Sequence, residues 1–434
     1  MKVGFIGFGT VASGAIEILN AQRALIERRL GTPIEIAGVA DLDIERDRGV
    51  QIAKEMLTTD AARIIKDPSI DIVVELIGGL TEAKGYILDA VRQGKHIVTA
   101  NKALLAVHGE EIFGAASENG VDVGFEAAVC GGIPIIRALK EGLAAEDIHS
   151  IYGIVNGTCN YILSQMLAEK RDFSDLLKEA QQLGYAEADP SLDVGGGDSA
   201  HKIAILTNLA FGTPVALSEI YTEGVEKITP IDIAFADTFG YQVKLLAITK
   251  RVEADIEVRV HPTMISKETL LSNVNGVFNA VYIDSPALGA TLYYGQGAGS
   301  LPTGSAVVSD IVDIARNIQK RSSLRVPVAS FMPSSRKRLR VRPIEEIKSL
   351  YYLRFMVQDR PGVLSKISGI LGAHHISISS VIQQGRKIGG DVPLVMMTHL
   401  AKERDLQSAL SKIDGLDCIS GATLLIRVEG EDRA

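Results

Sequence analysis

The first 130 residues alternate short apolar runs with stretches of helical period. The runs are residues 3–6, 34–40, 72–76, 96–99 and 121–125, and helical spacing falls near 11–29, 81–93 and 103–118. Apolar runs of this length without polar alternation belong to strands covered on both faces. Strand–helix–strand repetition then makes the sheet parallel. The pattern predicts an α/β domain of the Rossmann type over residues 1–130.

Beyond it the texture changes. Helical stretches at 172–183 and 199–211 mix with strand-period alternation such as Ile256-Glu257-Val258-Arg259-Val260. That predicts an α+β catalytic and dimerisation domain over 131–303. Tyr293-Tyr294-Gly295-Gln296-Gly297-Ala298-Gly299 reads as a glycine-rich loop. A helix at about 304–320 follows it and is placed to return to the first domain. Residues 321–350 read as a linker broken by Pro327, Pro333 and Pro343. Its basic run Arg336-Lys337-Arg338-Leu339-Arg340 is expected to be a solvated connector, because no aromatic residues support a nucleic-acid patch. Residues 351–427 then run strand (352–357), helix (362–374), strand (377–383), strand (393–398), helix (402–413), strand (423–428). This βαββαβ order is the ferredoxin-like arrangement.

Composition narrows the class. A chain of 434 residues exceeds one hydrophobic core, and 46% hydrophobic with 23% charged residues is ordinary for a globular protein. The net charge of −8 gives no general attraction to nucleic acid or anionic membranes. No apolar run reaches membrane-spanning length, and the opening Met1–Gly7 lacks the features of a signal peptide. Three cysteines, Cys130, Cys159 and Cys418, none in Cys-x-x-Cys spacing, argue against a disulfide framework or zinc site. They fit a reducing cytoplasm. The adjacent His374 and His375 do not by themselves make a metal site.

Gly7-Phe8-Gly9-Thr10-Val11-Ala12 follows the first strand and opens the first helix. Glycines here permit a tight turn and a close approach of pyrophosphate to the helix N-terminus, with Ala12 in the third glycine's place. A dinucleotide cofactor is therefore expected. Asp41 ends the second strand, where a carboxylate bonds the ribose 2′-hydroxyl and disfavours a 2′-phosphate. Arg46 and Arg48 are near enough in sequence to neutralise one, so NAD and NADP both stay open. Thr99-Ala100-Asn101-Lys102 lies at the carboxyl end of a predicted strand, the edge where such sheets place ligands; Lys102 is either a site residue or a helix-start surface lysine. Ile77-Gly78-Gly79 ends the neighbouring strand in the same way.

The densest chemistry lies in Gly184-Tyr185-Ala186-Glu187-Ala188-Asp189-Pro190-Ser191-Leu192-Asp193-Val194-Gly195-Gly196-Gly197-Asp198-Ser199-Ala200-His201-Lys202. Asp198 and Lys202 are four apart and would share a helix face. A helix cap plus an exposed ion pair is the plain alternative. The apolar continuation Ile203-Ala204-Ile205-Leu206 predicts instead a buried helix, where a lysine beside a carboxylate suggests work at a site.

This cluster resembles the signature of homoserine dehydrogenases. Three further motifs are similar to that family's: Asn156-Gly157-Thr158-Cys159-Asn160-Tyr161-Ile162-Leu163, Thr99-Ala100-Asn101-Lys102, and Glu126-Ala127-Ala128-Val129-Cys130-Gly131-Gly132-Ile133-Pro134. The resemblance covers residues 1 to about 320. The tail, with Asp359-Arg360-Pro361-Gly362-Val363-Leu364, resembles an ACT domain, an amino-acid-sensing module. As the dinucleotide strand opens the chain, the monofunctional form is expected.

The resemblance implies reversible, NAD(P)H-dependent reduction of L-aspartate 4-semialdehyde to L-homoserine, in the cytoplasm, by a homodimer or homotetramer. It makes Lys202 the catalytic acid/base, with Asp198 and Glu187 orienting it or holding the substrate ammonium. Thr158, Tyr185, Asp193 and Lys102 join them around the substrate. Gly7, Phe8, Gly9, Thr10, Val11, Asp41, Lys102 and Gly304 are implied for the cofactor. Glu126, Val129, Gly131 and Ile133 match a monovalent-cation site, sodium-like and made largely of backbone carbonyls. Threonine is the implied effector of the tail. A desolvated lysine has its pKa lowered toward working pH, which suits proton transfer. Two rivals remain: an acylating semialdehyde dehydrogenase with Cys159 as nucleophile, and a non-catalytic dinucleotide and amino-acid sensor. A chain cut near Ser322 is expected to stay active without its tail.

Overall fold

The run Val3-Gly4-Phe5-Ile6 becomes strand Lys2–Ile6, at the centre of a six-stranded sheet. In order across the sheet lie Leu57–Thr58, Glu35–Ala40, Lys2–Ile6, Ile72–Glu75, His96–Thr99 and Val123–Gly124, every pairing parallel. The order reverses at Lys2–Ile6, which sets the topological switch point where doubly wound sheets bind ligands. In this computed structural model residues 1–383 and 390–430 are described. The chain forms two compact units. One comprises Met1–Val155, Ala200–Ser218 and Phe278–Leu339; the other comprises Asn156–Ser199, Glu219–Val277 and the chain from Arg340.

In the first unit the expected helix 11–29 is two helices, Thr10–Ala21 and Arg23–Leu30. The return helix is Ser300–Lys320, starting earlier than its apolar period suggests. It packs on Thr10–Ala21 through small residues. A Cβ on Gly304 would lie 2.6 Å from the Ala15 amide nitrogen, and one on Gly14 would lie 2.2 Å from the Ser300 carbonyl oxygen. This close approach lets Val307, Val308 and Ile311 join Ala12, Ala15 and Ile16 in one core. Tyr293–Gln296, read as loop, is instead the end of strand Gly289–Gln296, paired antiparallel with Phe278–Ser285; that strand pairs in turn with Ser150–Ile154. Its glycines conceal a strand that aromatic residues stabilise, as in the stacked Phe278 and Tyr294 rings.

In the second unit, Tyr241–Val252 and Asp255–Ser266 form a twelve-pair antiparallel ribbon. The tail supplies Lys348–Gln358, Ile378–Gln383, Asp391–Thr398 and Leu424–Glu429, with helices Val363–Ala373 and Glu403–Asp414 packed on Tyr351, Leu353 and Phe355. The ferredoxin-like order is present. Its last strand does not end the sheet: Leu424–Glu429 also pairs parallel with Asp255–Ser266, Arg427 opposite Thr263. Asp255–Ser266 is therefore buried on both faces. Its charged alternation is internal: Arg259 pairs with Glu257 and, at 2.7 Å, with Glu429, which also takes Lys250 at 2.7 Å. A cut near Ser322 would remove Glu429 from the buried Arg259 and the half-buried Lys250, so the expectation of an independent tail is corrected.

The linker is not simply solvated either. Arg336 is bonded to Glu110 and Asn208, while Arg340 and Arg342 both reach Asp255 at 3.1 Å.

Candidate functional site

At the switch point Gly7 has φ +103°, and a Cβ there would sit 2.6 Å from the Leu76 carbonyl carbon, so only glycine fits. Gly9 caps helix Thr10–Ala21, with open space where its Cβ would be. The amide of Phe8 donates to Asp41 Oδ2 at 2.6 Å, tying the fingerprint loop to the end of the second strand. Asp41 Oδ1 meets Arg48 at 3.4 Å, and the Arg48 guanidinium lies over the Phe8 ring. Of the two arginines considered for a 2′-phosphate, Arg48 is the one whose side chain reaches Asp41.

The neighbouring strands end in a network the sequence reading missed. Glu75, fully buried, accepts from the Thr99 hydroxyl at 2.6 Å and from the amides of Ile77 and Gly78 at 2.9 and 3.3 Å. Burial pushes its carboxyl up, against these three hydrogen bonds. A carboxylate closing the apolar run Ile72-Val73-Val74 was the available signal. Asn101 accepts from the Leu104 amide as the N-cap of helix Lys102–Glu118 and donates to the Gly79 carbonyl at 2.7 Å. Lys102 thus begins a helix at the carboxyl end of His96–Thr99, half-buried at the ligand edge.

In the second unit Asn156 is the hub. Its Oδ1 accepts from the Cys159 amide, capping helix Gly157–Glu169, while its Nδ2 donates to Asp193 at 2.7 Å and Asp198 at 2.9 Å. Sequence reasoning assigns Asn156 no role beyond its motif; its signal is a cap residue before Gly-Thr. The Thr158 hydroxyl donates to the Tyr185 carbonyl at 2.6 Å. The Tyr185 side chain is exposed apart from edge contact with Tyr161, and Glu187 is exposed. Cys159 is buried, with its thiol 3.3 Å from the Asp193 carbonyl.

Helix Gly197–Phe211 carries Asp198 and, one turn on, Lys202, both buried as the apolar continuation predicted. Lys202 Nζ donates to the Val155 carbonyl at 2.6 Å.

The Glu126–Pro134 segment lies in the first unit. Both Glu126 carboxylate oxygens are held, by the amides of Ile136 at 2.7 Å and Arg137 at 2.9 Å. Cys130 and Gly131 take left-handed backbone, curling the chain between Val129 and Ile133. Asp310 of the return helix accepts the Glu126 amide at 2.8 Å. Burial, reinforced by the Glu126 charge, pushes Asp310 up to about 7. Among the described residues no cluster of His, Cys, Asp or Glu is suited to a metal. No helix among them is long and apolar enough to cross a membrane.

Residues 134–312 match the family model for homoserine dehydrogenase, residues 7–126 that for the homoserine dehydrogenase NAD-binding domain, and residues 351–418 that for the ACT domain. The homoserine dehydrogenase of Neisseria gonorrhoeae is 46% identical over 429 residues, 99% of this chain and 98% of that one. The chain belongs to the homoserine dehydrogenase family. The Pseudomonas aeruginosa homoserine dehydrogenase is likewise 46% identical, over 99% of both chains. The crystal structure of the Thiobacillus denitrificans homoserine dehydrogenase superposes with TM-score 0.93 at 45% identity, covering 99% of this chain and 98% of that one. A hyperthermophilic archaeal homoserine dehydrogenase in complex with NADPH matches 72% of this chain and 97% of its own, with TM-score 0.62 and 28% identity. The protein is thus a nicotinamide-dependent oxidoreductase that interconverts aspartate 4-semialdehyde and homoserine in amino-acid biosynthesis.

Proposed function

We propose that Lys202 moves the proton in this reaction. A bound NADP or NAD supplies or accepts the hydride at the substrate's C4. In the reducing direction the ammonium of Lys202 gives a proton to the oxygen that gains negative charge, and in the oxidising direction the amine removes the hydroxyl proton. The observation that carries this reading is a buried lysine one helical turn from a buried carboxylate. Such a pair is costly as mere structure. Asp198 and Asp193, both held by Asn156, bind the substrate ammonium with Glu187. Thr158, Tyr185 and Lys102 complete the substrate contacts. Lys202→Ala should lower turnover at least about a hundredfold while NADPH binding, followed by fluorescence, persists. Near-normal turnover would remove Lys202 from the chemistry.

Gly7, Phe8, Gly9, Thr10, Val11, Asp41 and Lys102 are proposed for the cofactor. Gly304 contributes through the helix it seats against Gly14 and Ala15. The carbonyls of Glu126, Val129, Gly131 and Ile133 suit a sodium-sized cation. The Glu126 carboxylate already accepts two amides, which favours its carbonyl as the donor in this reading. Domain boundaries near 130, 303 and 351, a cytoplasmic dimer or tetramer, and threonine as effector belong to the same proposal. A recess of about 460 Å³ bordered by Asp359, Arg360, Gly362, Gln383 and Leu394 supports an effector site in the tail.

A further inference from the structure

Tyr221–Val225, a segment so far without a role, pairs through Tyr221 and Thr222 with strand Asp255–Ser266, the strand that also pairs with the tail's Leu424–Glu429. Arg427 on that strand is 2% exposed. Its Nε and Nη2 donate to the two carboxylate oxygens of Glu403, at 3.0 and 2.7 Å, where helix Glu403–Asp414 begins. Its Nη1 donates to Glu223 Oε2 at 3.0 Å. Its guanidinium also lies 4.7 Å from the centre of the Tyr221 ring, whose hydroxyl donates to the same Glu223 oxygen.

The other side of this segment meets the glycine turn before Asp198. The Val225 amide donates to the Val194 carbonyl at 2.9 Å. A Cβ on Gly224 would lie 2.3 Å from that carbonyl oxygen and 2.8 Å from the Gly195 Cα. A Cβ on Gly196, where φ is +86°, would approach the Thr222 methyl at 3.0 Å and the Glu223 carbonyl oxygen at 3.4 Å. Val194–Gly196 follows Asp193 directly and precedes Asp198 by one residue. Backbone contacts this close leave little slack, so a shift of Glu223 moves the turn.

We infer that Arg427 and Glu223 are positioning residues, through which the regulatory tail holds the Val194–Gly197 turn and with it Asp193 and Asp198. A buried arginine between two carboxylates is a weak stabiliser compared with apolar packing but fixes geometry in direction as well as distance. The tail is then a working part of the substrate site even without an effector. For its kinetic consequence the inference rests on Asp193 and Asp198 contacting substrate.

The test uses the full chain carrying Glu223→Gln, Arg427→Lys or both. Glu223→Gln keeps the shape and leaves Arg427 its Glu403 partner, so folding is not at stake. The expected result is a KM for homoserine raised about tenfold, kcat within about twofold and an unchanged KM for the cofactor, the pattern of lost uniform binding. Deuterium exchange should quicken over residues 221–225 and 193–198 and nowhere else in the catalytic region. The double variant should be no worse than the worse single one, as for residues acting in series. Unchanged exchange at the turn overturns the inference, and so does exchange that quickens throughout the chain. Faster exchange at the turn with KM unmoved upholds the positioning and instead removes Asp193 and Asp198 from the substrate contacts.

Discussion

Gly304→Ala sets two effects of opposite sign against each other. Alanine in place of glycine inside a helix gains about 1 kcal/mol in propensity. The new Cβ would stand 2.6 Å from both the Ala15 amide nitrogen and the Gly14 carbonyl carbon, where ordinary contact begins at 3.4 Å. Both obstacles are backbone, so the helices must part by roughly the difference. A gap of about 0.5–1 Å forfeits a quarter to a half of each dispersion contact, here between Ala15 and Ile16 and the buried Val307, Val308 and Ile311. Overpacking costs about 1–3 kcal/mol, and an unyielding backbone places this case at the upper end. The net loss should be about 2 kcal/mol, lowering the melting temperature of the nucleotide unit by roughly 4–8 °C. Gly114→Ala is the control: Gly114 lies within helix Lys102–Glu118, and nothing stands within 4 Å of its would-be Cβ. It should stabilise by up to about 1 kcal/mol. Calorimetry with and without NADPH identifies the relevant transition, since the ligand raises only the transition of the unit that binds it. If Gly304→Ala proves as stable as Gly114→Ala, the close helix crossing is not where the structure puts it.

Cys159→Ser should leave most of the activity, because the thiol is buried and hydride transfer to an aldehyde needs no covalent intermediate; phosphate-dependent semialdehyde oxidation lost in this variant would revive the acylating rival. Asp41→Ala should raise the kcat/KM ratio of NADP to NAD by about tenfold, or ~1.4 kcal/mol, by removing a repulsive charge and freeing Arg48; a constant ratio would place Asp41 away from the ribose. Threonine should lower the activity of the full chain with a coupling of about 1–3 kcal/mol, and indifference to millimolar threonine would discard it as the effector.

The nucleotide half was legible because its strands are continuous apolar runs, and because Gly7, Gly9 and Asp41 fall at fixed places after them. Lys202 and Asp198 were legible for a similar reason: their helix stays apolar beyond them. Glu75 and Asn156 escaped because their partners are remote in sequence or are backbone amides, and neither leaves a periodic trace. Lys244 escaped in the same way. It is buried with Nζ bonded to the Val274 carbonyl and to the side chains of Asn160 and Asn275, and burial lowers it to about 8. In a strand pattern it reads as an ordinary polar position. The tail's order of elements was visible, but its attachment was not, because Glu257 and Arg259 alternate as though one face met solvent. The counter-charge of Glu429, added to the Arg259–Glu257 pair, makes that alternation internal.

That arrangement matters for how the chain is made. Strand Asp255–Ser266 leaves the ribosome long before Leu424–Glu429, its parallel neighbour, has been synthesised. During that interval its Thr263–Ile265 end is an open sheet edge, the kind of surface that recruits strands from other chains, while Arg259 and Val260 already pair with Tyr221 and Thr222. Arg259 and, on the neighbouring strand, Lys250 then stand without Glu429, with Glu257 alone against two cations, and positive charge beside such an edge repels another copy and hinders the pairing that begins aggregation. When the last strand arrives, Glu429 bonds both cations and, together with Glu257, balances their charge as it closes the edge. The same charges that protect the nascent chain become the lock of the finished one.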